Sequence, residues 1–106
     1  MTRYAWWGYV KSVIRKYPQT VRKSEKDDTP LSGVALRESD AVRRAVSETE
    51  ALPDGFQRVA LVSMVFWERR DNLSGAARRL YISERTAVRW HTAFIKATAR
   101  NLGLLD

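Results

Sequence analysis

The chain has 106 residues, a formal net charge of +7 and no cysteine. That length allows one domain with a single modest core, and the lack of cysteine excludes structural disulfides and thiolate metal sites, as suits a reducing cytosol. No apolar run is long enough to span a bilayer, and the opening residues lack the basic stub, apolar stretch and cleavage site of a signal peptide, so the expectation is a soluble cytoplasmic protein.

The charge is segregated. Residues 1–23 hold six Lys or Arg and no acid, and residues 69–100 hold eight bases against two acids. The stretch between them holds nine acids against five bases. Positive ends around an acidic middle fit an anionic partner for the ends, although a basic face also serves solubility alone.

In chain order, the first element is RYAWWGYVKSVIRKYPQ. At helical spacing Trp6, Trp7, Tyr9, Val10, Val13, Ile14 and Tyr17 fall within about 160° of arc. This predicts an amphipathic, unusually aromatic helix over residues 1–18, ending at or before Tyr17 because Pro18 disfavours helical geometry in its predecessor. Residues 19–37 lose periodicity and carry Pro30 and Gly33, so they read as a linker or flexible loop. A helical domain over 38–106 follows. Its first helix takes Ser39 or Asp40 as N-cap and repeats Val42, Ala45, Val46 and Thr49 at helical spacing. The segment LPDG stops it, and Asp54 is placed to cap the next helix. There Phe56, Val59, Ala60, Val62, Ser63, Val65, Phe66 and Trp67 crowd two faces, which predicts the buried centre of the bundle.

The last part, about 72–101, reads as two helices and a corner. Asn72 or Ser74 caps a short helix carrying Ala76, Ala77 and Leu80. Tyr81, Ile82 and Ser83 form the corner, with Ser83 capping a final helix to about Asn101 and Gly103 as its stop. With no β-alternation anywhere, the fold class is all-α: a small bundle of about five helices.

At about 100° per residue, Arg85, Arg89, Thr92 and Lys96 share one side of the final helix, with Val88 beside them. Ala87, Trp90, Phe94, Ala97 and Thr98 share the other. A helix lying in a major groove needs that division: one face packs, and the other offers donors to base edges, methyl contacts to thymine and charge to phosphates. Arg69, Arg70, Arg78 and Arg79 would flank the groove on phosphates, with Ser74, Ser83 and Lys96 as further phosphate contacts. The same pattern also fits a tight bend in a helical core with a solvated basic face.

The phrase AARRLYISERTAVRW resembles the helix-turn-helix of sigma-factor region 4. Taken with the aromatic opening YAWWGYVKSVIRKYP, the central FQRVALVSMVFW and the closing SERTAVRWHTAFIKATARNLGL, the chain resembles the small phage-encoded late transcription regulators of the RinA/ArpU type. The resemblance covers most of the chain outside 19–37. It implies a sequence-specific double-stranded DNA binder that controls late genes in a bacterial host, with Glu84, Arg85, Val88, Arg89 and Thr92 at the base-reading positions. Bacterial RNA polymerase and a second copy of the chain are further candidate partners by analogy. The chain departs from the pattern at Gly75, Ala76 and Ala87, which thins the corner packing, with Trp90 and Tyr81 the candidates to fill the space.

Other readings are weaker. Trp6, Trp7, Tyr9 and Tyr17 offer a candidate partner surface, set against their use as core. His91 is the only histidine, with no second His, no Cys and no matched carboxylate to make a metal or nucleophile site. Asp27, Asp28, Asp40, Glu48 and Glu50 lie in polar surroundings with no pocket to shift a pKa. No glycine-rich phosphate loop occurs. No enzyme activity, metal or cofactor is expected. Two alternatives stay open: a packaging protein like a terminase small subunit, and an interaction module that binds an acidic protein or polymerase.

Overall fold

The computed structural model describes residues 4–27 and 32–105. They form five α-helices: α1 (Trp7–Asp27), α2 (Gly33–Glu50), α3 (Gly55–Val62), α4 (Leu73–Arg79) and α5 (Glu84–Asn101). A π-helical turn, Ser63–Trp67, continues α3. No strand occurs among the described residues, and none of their helices is long and apolar enough to cross a membrane.

The first helix does not stop at Tyr17. It runs through Pro18 to Asp27, so part of the expected 19–37 linker is helical. A proline inside a helix lacks the N–H that would bond to the carbonyl four residues back, here that of Ile14. The Trp67 indole takes the missing donor's place, with Nε1 donating to the Ile14 carbonyl oxygen at 2.8 Å. The Tyr17 ring packs against the same indole, centroids 6.0 Å apart. A side chain distant in sequence thus supplies the hydrogen bond that Pro18 removes.

Helix α2 also begins earlier than Ser39. Ser32 is its N-cap and accepts from the Ala35 N–H at 3.2 Å. The early turns escape periodicity because Val34 and Leu36 face solvent, while Asp40, mid-helix, pairs with Arg43. Of the expected loop, residues 28–31 lie outside the described residues and 33–37 are helical.

At the α2–α3 corner Asp54 takes the cap position in a left-handed conformation, φ 59°, without a side-chain cap bond. Gly55 is required there. A Cβ would lie 2.3 Å from the Glu50 carbonyl oxygen and 2.6 Å from that of Thr49. Only glycine lets α3 start against the end of α2. Phe56, expected in the bundle centre, is 89% exposed. It sits five residues before buried Leu61, which puts it about 140° away around the helix.

The core has two parts, and α5 belongs to both. Val10, Val13 and Ile14 of α1, Val42 and Ala45 of α2, Val62, Phe66, and Phe94, Ile95 and Ala99 of α5 form the larger. Leu61, Ala76, Ala77, Ala87 and Trp90 form the smaller. Each large side chain so buried contributes roughly 1.5–3 kcal/mol. Ile95 and Ala99, absent from the expected inner face, are buried because the apolar face rotates between the two cores. Helix α5 closes at Gly103 (φ 79°), with the Leu104 N–H donating to the Ala99 carbonyl at 2.9 Å and the Gly103 N–H to that of Arg100 at 3.0 Å. These are the paired bonds of a glycine-terminated helix. Asn101 fastens this end to α2, donating to the Ala41 carbonyl at 3.1 Å and to Glu48 at 2.8 Å.

A buried acid clasps α1 to α2. Glu38, 7% exposed, accepts from the Tyr9 hydroxyl and pairs with Lys16 Nζ at 3.0 Å. Burial alone would raise its pKa, but the Tyr9 hydrogen bond and the Lys16 charge outweigh that and hold it below the ordinary glutamate value. The same carboxylate, chiefly through the hydrogen bond, raises the pKa of the Tyr9 phenol.

Two outcomes follow in unfolding experiments. Trp67→Phe should cost about 1–3 kcal/mol by leaving the Ile14 carbonyl without a donor. Adding Pro18→Ala should recover part of that loss by restoring the backbone N–H, and strictly additive denaturation free energies would remove the indole from this role. Glu38 has a lowered folded-state pKa, so its contribution is full above the unfolded glutamate pKa and is lost as pH falls through the folded value. Glu38→Gln should therefore flatten the acid side of a midpoint-versus-pH curve below about pH 5, and an unchanged slope would contradict the clasp.

Candidate nucleic-acid interface

The α4–α5 pair is fixed by caps at each turn. Asn72 Oδ1 accepts from the Gly75 N–H at 2.8 Å, starting α4. At its end the Ile82 N–H donates to the Ala77 carbonyl at 3.0 Å and the Tyr81 N–H to that of Arg78 at 3.2 Å. This is the same closing motif as at Gly103, but the left-handed position is held by Tyr81, φ 57°. Ile82 folds back onto the smaller core. Ser83 caps α5: its oxygen accepts from the Thr86 N–H at 3.1 Å, and its hydroxyl donates to Thr86 Oγ1 at 2.9 Å. That hydroxyl serves the helix cap, and Ser83 itself stays exposed.

The small residues at the corner let the helices meet. Ala76, Ala77 and Ala87 are fully buried, and Trp90 lies over them. The Arg58 guanidinium sits 5.1 Å from the centre of the Trp90 ring, on its outer side. Trp90 fills the space that the alanines leave. Tyr81 does not; it is 95% exposed.

With Ala87 and Trp90 turned inward, the N-terminal half of α5 presents Glu84, Arg85, Val88 and Arg89 to solvent. Neither Arg85 nor Arg89 forms an ion pair or hydrogen bond among the described residues. Farther along, Thr92 and Lys96 share the stripe but are half-buried. The Lys96 ammonium lies 5.8 Å from the centre of the Tyr4 ring. The exposed surface is therefore shorter than the stripe drawn on a helical wheel.

The flanking arginines divide. Arg78 is exposed and unpaired among the described residues, whereas Arg79 Nε pairs with Asp71 at 2.9 Å. Arg70 lies 4.0 Å from Glu68. Ser74 is half-buried. Arg69 has a left-handed backbone, φ 55°, and lines a cleft against α1 together with Arg15 and Arg22.

The N-terminal aromatics are mostly used within the fold. Trp6, Trp7 and Tyr17 pack on the larger core. Tyr4 stacks on Trp6 at 4.6 Å, and Trp6 on Trp7 at 6.1 Å. Tyr9 keeps an exposed ring but spends its hydroxyl on Glu38. His91 stacks on Phe66, centroids 5.1 Å apart and planes 3° from parallel. Among the described residues no group of three or more His, Cys, Asp or Glu is placed to hold a metal.

Two features escaped the sequence reading. The buried acid Glu38 falls in a stretch taken for the linker's edge, and its α1 partners lie 22 or more positions away. The left-handed Tyr81 carries no glycine to mark it; the only local sign is an apolar residue, Ile82, directly after it. No protein-family model, curated protein or solved structure matches the chain.

A left-handed conformation costs a side-chain-bearing residue about 1–2 kcal/mol. Because the Tyr81 ring gains nothing from packing, Tyr81→Gly should raise stability by about 1 kcal/mol. Chemical denaturation checks this, and a destabilised variant would show that the ring contributes to the fold.

Proposed function

We propose that the chain is a sequence-specific double-stranded DNA-binding transcription regulator, with α4 and α5 as its helix-turn-helix and α5 entering the major groove. One observation carries the reading. Arg85 and Arg89 stand unpaired among the described residues, on the exposed half of a helix whose opposite side is pinned by Ala87 and Trp90. A guanidinium on a rigid helix is suited to bidentate recognition of guanine, because its donors arrive at the base edge already oriented. Val88, 49% exposed between them, offers an apolar contact for a thymine methyl. Glu84 completes the reading edge, while Thr92 and Lys96 lie at its margin.

Backbone anchoring falls first to Arg78 at the end of α4, which is unpaired among the described residues. Arg79 and Arg70 contribute less, because Asp71 and Glu68 offset their charge. In this reading the protein is no enzyme and acts in the cytoplasm of a bacterial host on phage or prophage late genes, as its resemblance to late regulators suggests.

The test starts from duplexes selected out of a random pool at fixed moderate salt. Arg89→Ala should relax preference at one base position, losing about 1–3 kcal/mol of discrimination there. Arg78→Ala should weaken every sequence alike and make the salt slope shallower by about one unit. If the pool yields no enriched duplex, or both variants lose affinity equally on all sequences, groove reading fails.

A further inference from the structure

Three departures from regular backbone geometry meet at one cleft. Pro18 interrupts the hydrogen bonding of α1, the π-helical turn widens the end of α3, and Arg69 follows in a left-handed conformation, φ 55°. Each comes at an energetic cost, and such departures concentrate at functional sites. The cleft between α1 and the turn has a volume of ≈ 350 Å³, with Pro18 and Trp67 among its walls. Its charged lining consists of Arg15, Lys16, Arg22 and Arg69, with no carboxylate among the described lining residues.

Lys16 has a partner in Glu38 at 3.0 Å. Arg15, Arg22 and Arg69 form no ion pair or hydrogen bond among the described residues. Like charges gathered around a concave surface repel one another, and partly apolar walls strengthen the resulting field. The fold makes no visible use of the arrangement. Pro18 is accommodated by Trp67, but neither that bond nor the core requires a cation at position 69, where glycine would fit the backbone with less strain.

We propose that this cleft is an anion site that binds a phosphate group. Arginine is suited to that task because its fork of donors engages two phosphate oxygens together. The cleft uses none of the α5 residues assigned to base reading, so it stands or falls apart from that assignment. The phosphate could come from a small phosphorylated molecule or from a nucleic-acid backbone, and the two sources share this recognition chemistry.

The experiment follows the Trp67 indole N–H and the Nε–H signals of Arg15, Arg22 and Arg69 by NMR in the full chain. Inorganic pyrophosphate and a short DNA duplex are titrated separately, with ionic strength held constant by chloride. Saturable shifts of these signals are expected. Shifts with pyrophosphate identify a small-molecule site, and shifts with duplex alone identify a backbone contact; either supports the proposal. Arg69→Gly should lower affinity at least tenfold without lowering the melting temperature, since glycine suits that backbone. Arg43→Gln, which removes a cation paired with Asp40 outside the cleft, should bind as the parent does. Absent shifts, shifts reproduced by chloride alone, or Arg69→Gly affinity equal to the parent would overturn the proposal.

Discussion

Helix α5 has to satisfy two cores at once, and the rest of the molecule is arranged around that constraint. Its N-terminal half buries Ala87 and Trp90 against α3 and α4, and its C-terminal half buries Phe94, Ile95 and Ala99 against α1 and α2. Because the buried faces are rotated relative to each other, little rotation of the helix is tolerated without opening one core. That rigidity gives the outward arginines a defined direction. It also limits the open surface to the first half of the helix, since Tyr4 lies beside Lys96 farther along.

The remaining helices are tied to this axis by a few polar contacts that regular packing would not supply. Trp67 lets α1 continue through Pro18, which keeps the residues beyond the proline in the helix. Glu38 joins α1 to α2 from within, and it is tolerable there only because a hydroxyl and an ammonium meet it. Among the described residues no buried side-chain polar atom lacks a partner. The molecule is small, and these contacts fix how its helices meet where apolar area alone would leave more than one arrangement.

The basic residues illustrate how far composition can mislead. The two positive ends look alike in sequence, yet their cations have different surroundings. Arg79 and Arg70 are turned toward acids, Lys96 toward an aromatic ring, and Lys16 toward Glu38. Arg78, Arg85 and Arg89 stay free among the described residues, as do Arg15, Arg22 and Arg69 on another part of the surface. Sequence offers the count of charges, whereas folding decides which of them retain an unsatisfied field.

The all-α class, the positions of α4 and α5, the caps at Asn72 and Ser83 and the stop at Gly103 were legible in the residues themselves. Each is a local matter: helical periodicity, a side-chain oxygen beside a free N–H, a glycine at a left-handed position. The inward turn of Trp90 and Phe94 was legible for the same reason. What tertiary structure alone decided depends on partners far along the chain. Pro18 looked like an end because the donor that accommodates it comes from Trp67. Glu38 carries no local sign of its burial because its partners lie on another helix. Phe56 looked like core because periodicity reports a helix but not where the helix protrudes. Long-range contacts, not local propensities, determine which residues are covered, and so which surface is left to meet a partner.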